Sequence, residues 1–130
     1  MSKVSMNFWR TEFACKCGCG FSAVDVELLT VLEDLRVELL SGHPEYPGIE
    51  ILSGCRCQEH NKKVGGALKS KHVQGIAADI RVWLYWQRLQ LAPAAVAEFL
   101  EDRYSDRYGI GRYGTFTHVD VRQQQTRWIG

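Results

Sequence analysis

Two histidines and two aspartates stand out for the chemistry they could do together: His72, Asp79, His118 and Asp120. Two neutral imidazoles and one carboxylate form a normal catalytic zinc set, three protein ligands with a fourth position left for water. His72 lies in the glycine-containing loop Ser70-Lys71-His72-Val73-Gln74-Gly75, and Asp79 lies on the strand expected just after it. The loop can therefore fold back and offer both groups to one ion, with His118 supplied by a neighbouring strand. Gly75, Ala77 and Ala78 are small enough to let backbone approach such a site closely. His118 and Asp120 are i and i+2 on a predicted strand, so both leave the same face of the sheet. Asp120 then has two roles open to it: a general base taking a proton from metal-activated water, or an acceptor that orients the His118 ring.

These side chains need a scaffold, and the hydrophobic pattern supplies one. Val24, Leu28, Leu29, Leu32, Leu35 and Leu39 recur at helical spacing, which predicts an amphipathic helix from about Val24 to Leu40, capped by Ser22 and ended by Ser41-Gly42. After a turn over Pro44 to Gly48, alternation around Ile49 and Ile51 predicts a short strand reaching Gly54. Glu59 to Val64 reads as a short helix, Ala77 to Trp83 as a strand, and Pro93 to Arg103 as a second long helix with proline in its first turn. From Tyr108 to Trp128, aromatic and β-branched residues alternate with polar ones, predicting two or three antiparallel strands. Helices and strands are segregated, so the expected fold is α+β: a small antiparallel sheet with two main helices packed on it and the metal site at the sheet face.

The chain's 130 residues, 45% hydrophobic, suit a single domain spanning 1–130. Lys and Arg total 16 against 15 Asp and Glu, and a formal charge of +1 lacks the footprint of a nucleic-acid binder. No segment has the roughly 20 apolar residues of a membrane span. Met1 to Arg10 has no basic segment followed by an apolar one, so the expectation is a soluble monomer without an export signal of its own.

Five cysteines fall in two clusters, Cys15, Cys17 and Cys19, then Cys55 and Cys57; an odd number cannot all pair within the chain. On an extended segment Cys15, Cys17 and Cys19 would share one face. A second zinc held with Cys57, a single disulfide and free thiols all remain open, with Cys55 the spare. His60 reads as a polar surface residue and His43 as a loop residue. Trp83, Tyr85, Trp86, Tyr104, Tyr108, Tyr113, Phe116 and Trp128 read mainly as packing residues, some of which could line a groove.

The series Ser53-Gly54-Cys55-Arg56, His60-Asn61, Val64-Gly65-Gly66, Ser70-Lys71-His72, Gly75, Ala77-Ala78-Asp79-Ile80, closing with His118-Val119-Asp120-Val121-Arg122, resembles the zinc peptidases of the D-Ala-D-Ala carboxypeptidase type. With the opening Phe8, Glu12-Phe13-Ala14-Cys15-Lys16-Cys17-Gly18-Cys19-Gly20, it looks most like the small phage cell-wall peptidases of that group. The resemblance implies zinc held by His72, Asp79 and His118, and cleavage of peptidoglycan stem peptides or cross-links by a carboxypeptidase or endopeptidase. It implies that Arg56 holds a substrate carboxylate and that Ser70 shapes the zinc loop or substrate pocket. It also implies synthesis in a bacterial cytoplasm and action at the cell wall after phage-assisted release or from a virion. One departure matters: several members of the wider superfamily carry Glu or Asp three residues before the last histidine, where this chain has Thr115. That keeps open a rival reading, a zinc-stabilised binding module without turnover, for which the similar fold of the hedgehog signalling domain offers a precedent.

Overall fold

The structure is a computed structural model that describes residues 2–41 and 45–130. The sequence expectations for Gly42, His43 and Pro44 fall outside the described residues. The elements run α1 (Arg10–Phe13), α2 (Val26–Leu40), β1 (Gly48–Ser53), α3 (Gln58–Lys63), β2 (Ala77–Tyr85), β3 (Leu89–Gln90), α4 (Pro93–Arg103), β4 (Gly109–Arg112), β5 (Thr117–Asp120) and β6 (Thr126–Ile129). The expected α+β fold is present. The strands form one sheet in the order β1-β2-β5-β4-β6, with β3 paired to β2. Pairing is antiparallel except that β6 lies parallel to β4. The Tyr108–Trp128 region is thus a hairpin followed by a crossover strand.

The period of two along the strands divides the sheet's faces. Ile49, Ile51, Ala78, Ile80, Val82, Ile110 and Val119 are buried on one face, with Leu28, Leu32 and Leu35 of α2 and Val96, Ala97 and Leu100 of α4 in the same apolar core. Burying each such aliphatic side chain contributes on the order of 1.5–3 kcal/mol, so this face fixes the register for the other. On the opposite face, register alignment places Ser53, Asp79, His118, Gly111 and Trp128 in one row across five strands. Ala77, Asp120, Gly109 and Thr126 form the next row. A one-residue irregularity between Ile51 and Ser53 brings Ser53 rather than Leu52 opposite Asp79.

Two local expectations are corrected. Asp25, not Ser22, caps α2: its carboxylate accepts the Glu27 amide at 2.7 Å. Cys15 to Gly20 is not extended but turned, with Gly18 and Gly20 at φ of 83° and 91° and the Gly18 amide bonded to the Cys15 carbonyl. α1 and β3 were not foreseen. α1 is a single turn in which Glu12 accepts the Trp9 amide at 2.7 Å.

Candidate active site

Two backbone devices fix the three expected zinc ligands, a loop for His72 and the β2–β5 pairing for Asp79 and His118. The His72 loop is held by the Arg56 amide, which donates to the His72 carbonyl at 3.0 Å, and by the Ser70 hydroxyl, which accepts the His72 amide at 3.2 Å. His72 Nδ1 stands 2.6 Å from the Gly54 carbonyl oxygen. A carbonyl only accepts, so Nδ1 carries the proton and Nε2 keeps its lone pair. That Nε2 lies 3.3 Å from Asp79 Oδ1.

Asp79 and His118 face each other directly across β2 and β5, with His118 Nδ1 2.9 Å from the same Asp79 Oδ1. His118 Nε2 points the other way, 2.8 Å from Asp120 Oδ2. Burial opposes the charge on Asp79, but its close contacts with His118 and His72 hold its carboxyl well below the usual range. Burial likewise disfavours protonated His118; its contacts with Asp120 and Asp79 outweigh this and raise its pKa.

The donor set fits zinc. Ligand bonds of 2.0–2.1 Å in a tetrahedron put neighbouring donor atoms about 3.3 Å apart, and the separations of 2.9 and 3.3 Å here match that spacing. One atom each from His72, Asp79 and His118 lies within 4.8 Å of the other two. The spare ring nitrogen of each histidine is engaged by an acceptor, as metal-bound histidine requires.

Asp120 is fully buried and both of its oxygens are engaged. Oδ1 accepts the Arg122 amide and Nε at 3.1 and 2.8 Å, while Oδ2 faces His118 and Arg122 Nη2, each at 2.8 Å. The Arg56 side chain reaches the other side of Asp79, with Nη2 3.5 Å from Oδ2, and is braced by Ser53 Oγ and Asn61 Oδ1, each at 3.2 Å. Asn61 in turn donates to the Ala67 carbonyl at 2.8 Å. This buried polar residue was not assigned a role from sequence, although it follows His60 within the quoted motif.

His72, Asp79, His118, Arg56 and Arg122 line a cleft of about 710 Å³. Arg56, Lys69, Lys71 and Arg122 line it against a single carboxylate, Asp79. Tyr113, Phe116 and Trp128 also line it. Tyr113 and Phe116 stack at 4.4 Å between ring centroids, and Trp128 Nε1 donates to the Tyr113 hydroxyl at 3.0 Å while its ring lies 5.0 Å from that of His118. Tyr104 and Tyr108 instead pack in the core. His60 is half-buried and lies outside the cleft lining. Thr115 is exposed, its carbonyl accepting from Arg81 and Gln90.

Cys15, Cys17, Cys19 and Cys57 gather in a second cluster, none of them among the residues that line the cleft. Burial opposes ionisation of Cys15, but backbone N–H groups of Cys17 and Cys57 bring its pKa down to about 7. Cys55 stands apart, buried, donating its thiol to the Phe13 and Phe21 carbonyls, each at 3.1 Å.

A sheet-face cleft that carries a His-Asp-His set able to hold zinc, lined with cationic and aromatic side chains, is the candidate site of this α+β domain. The sequence matches the family described as Peptidase M15 over residues 6–120, and the chain belongs to that family. No curated protein and no solved structure matches the chain significantly.

Proposed function

We propose that the protein hydrolyses peptide bonds in peptidoglycan stem peptides or cross-links, as a D,D-carboxypeptidase or endopeptidase of the phage cell-wall type. The observation that carries this reading is the cationic lining of the cleft around the His72, Asp79 and His118 donors. Stem peptides carry free carboxylates along and at the end of the chain, and a cleft with Arg56, Lys69, Lys71 and Arg122 against one aspartate suits them. Synthesis in a bacterial cytoplasm, with release by a phage or delivery from a virion, belongs to the same proposal.

His72 Nε2, an Asp79 oxygen and His118 Nδ1 would hold the zinc ion, which when bound polarises a carbonyl and makes water a stronger acid. The side chains do the rest. Arg56 is pre-set by Ser53 and Asn61, so its planar fork meets a substrate carboxylate with little loss of side-chain freedom. Ser70 fixes the His72 loop through the His72 amide. Asp120 accepts the Nε2 proton of His118 and so keeps the Nδ1 lone pair turned to the cleft; its engagement by Arg122 supports this orienting role over that of a base. Tyr113, Phe116 and Trp128 form a wall against which a peptide or sugar packs.

One observation favours a second reading. Apart from Asp79, no carboxylate is among the described residues lining the cleft, and Thr115 stands where a base would be expected. A zinc-stabilised binding module would need none. Digestion of purified peptidoglycan by the zinc-loaded protein, followed by mass spectrometry, separates the two. A defined new terminus, absent with His118→Ala, is expected. Zinc-loaded protein that binds wall fragments and leaves every bond intact would establish the binding module instead.

A further inference from the structure

Cys15, Cys17 and Cys57 have mutual sulfur separations of 3.4, 3.7 and 3.8 Å, and Cys19 completes a set of four whose sulfur atoms all lie within 4.8 Å of one another. A disulfide needs two sulfurs about 2.05 Å apart and leaves the others out. Four thiolates around zinc at about 2.3 Å are instead spaced about 3.8 Å apart, and all three short separations fall near that value while none is close to a bond. The backbone is arranged for thiolates as well. The Cys57 amide donates to Cys15 Sγ and the His60 amide to Cys57 Sγ, each at 3.4 Å. The turn at Gly18 and Gly20, both in the left-handed region, brings Cys15, Cys17 and Cys19 round one point.

We infer that Cys15, Cys17, Cys19 and Cys57 form a second, structural zinc site, and that this site fastens the N-terminal turn to the loop that positions the catalytic cleft. The loop from Gly54 to Cys57 connects the two centres. Gly54 gives its carbonyl to His72, Cys55 bonds Phe13 through its amide at 2.9 Å, Arg56 enters the cleft, and Cys57 supplies the fourth thiolate. Gly54 is packed so tightly that a Cβ there would stand 2.6 Å from the Phe13 backbone. Ion binding displaces the thiol protons to solvent and closes this junction without a covalent cross-link.

The test is metal analysis and cobalt substitution of the full chain prepared under reducing conditions. Two equivalents of zinc are expected, and the cobalt form should show the intense sulfur-to-metal charge-transfer absorption of a thiolate site. Cys17→Ser should lose one equivalent and weaken that absorption, whereas His118→Ala should lose the other equivalent and keep it. The absorption does not depend on catalysis, so the inference stands or falls separately from the peptidase reading. If Cys17→Ser fails to fold, alkylation of the wild type replaces it: zinc should protect four thiols that a chelator exposes. A cobalt form without thiolate absorption, alkylation indifferent to zinc, or a mass two hydrogens lighter from a Cys–Cys bond would overturn the inference.

Discussion

Asp120 reaches His118 on one side and Arg122 on the other, so removing its charge separates ring orientation from proton transfer. Asp120→Asn should weaken zinc affinity by about 10- to 100-fold, with activity recovering as zinc is added in excess. A loss of about 100-fold or more in turnover at saturating zinc would make Asp120 the base. Arg56→Lys keeps the charge and removes the planar fork. Peptide cleavage should fall about 10-fold or more while zinc content stays unchanged, following the roughly 1.5–3 kcal/mol of a hydrogen bond to a charged group. The grouping of His72, Asp79 and His118 was legible in the sequence because ligand chemistry restricts residue types and because the wider motif series resembles a zinc peptidase family. The supporting partners were not. His72 is held by the Gly54 carbonyl, and a backbone acceptor leaves no residue-type signature.

At the scale of elements, the site depends on a strand that contributes almost no side chains to it. Gly109 lies opposite Asp120 and Gly111 opposite His118. A Cβ at Gly109 would meet Asp120 Oδ2 at 2.5 Å and Arg122 Nε at 2.6 Å, and one at Gly111 would meet the Trp128 ring at 2.5 Å. The glycines make the space in which the Asp120–Arg122 pair lies, and let Trp128 of β6 cross β4 to reach His118. Gly109→Ala should therefore lower zinc affinity in a titration, although residue 109 touches no ligand. Glu101 on α4 and Arg112 on β4 form a two-point ion pair, at 2.6 and 3.1 Å, that ties helix to sheet. The hydrogen bond from Arg112 holds the Glu101 carboxyl below its ordinary value in the folded chain. The pair's contribution is thus fully present above the unfolded Glu pKa of about 4.3 and is lost as pH falls through the lower folded value. Glu101→Gln should cost up to about 1 kcal/mol near pH 7, since the pair is partly exposed, and that difference should shrink in acid unfolding curves. α4 was legible to both ends because Pro93 marks its start and apolar periodicity carries it to Arg103. The direction of β6 was not, since a four-residue alternating strand reads the same whether it pairs parallel or antiparallel.

For the molecule as a whole, the order of assembly follows from sequence separation. Asp79 and His118 are 39 residues apart and meet only when β2 and β5 pair at the centre of the sheet; Cys15 and Cys57, 42 apart, meet only when the N-terminal turn reaches the loop after β1. Each meeting must first meet the entropy of closing a long loop, which the local contacts within α2 or α4 avoid. The His72, Asp79 and His118 donors therefore cannot gather before β2 and β5 pair, and until then the chain offers that ion only scattered groups. Metal should act on the rate of leaving the native state and hardly on the rate of reaching it. Stopped-flow tryptophan fluorescence across a denaturant series should show zinc slowing the unfolding limb while refolding stays within about 2-fold. A refolding limb accelerated by zinc would place ligand capture ahead of strand pairing. On the expected outcome, the ion works as a latch closed after folding, so a chain stripped by chelator would still find its shape and would simply hold it for less time.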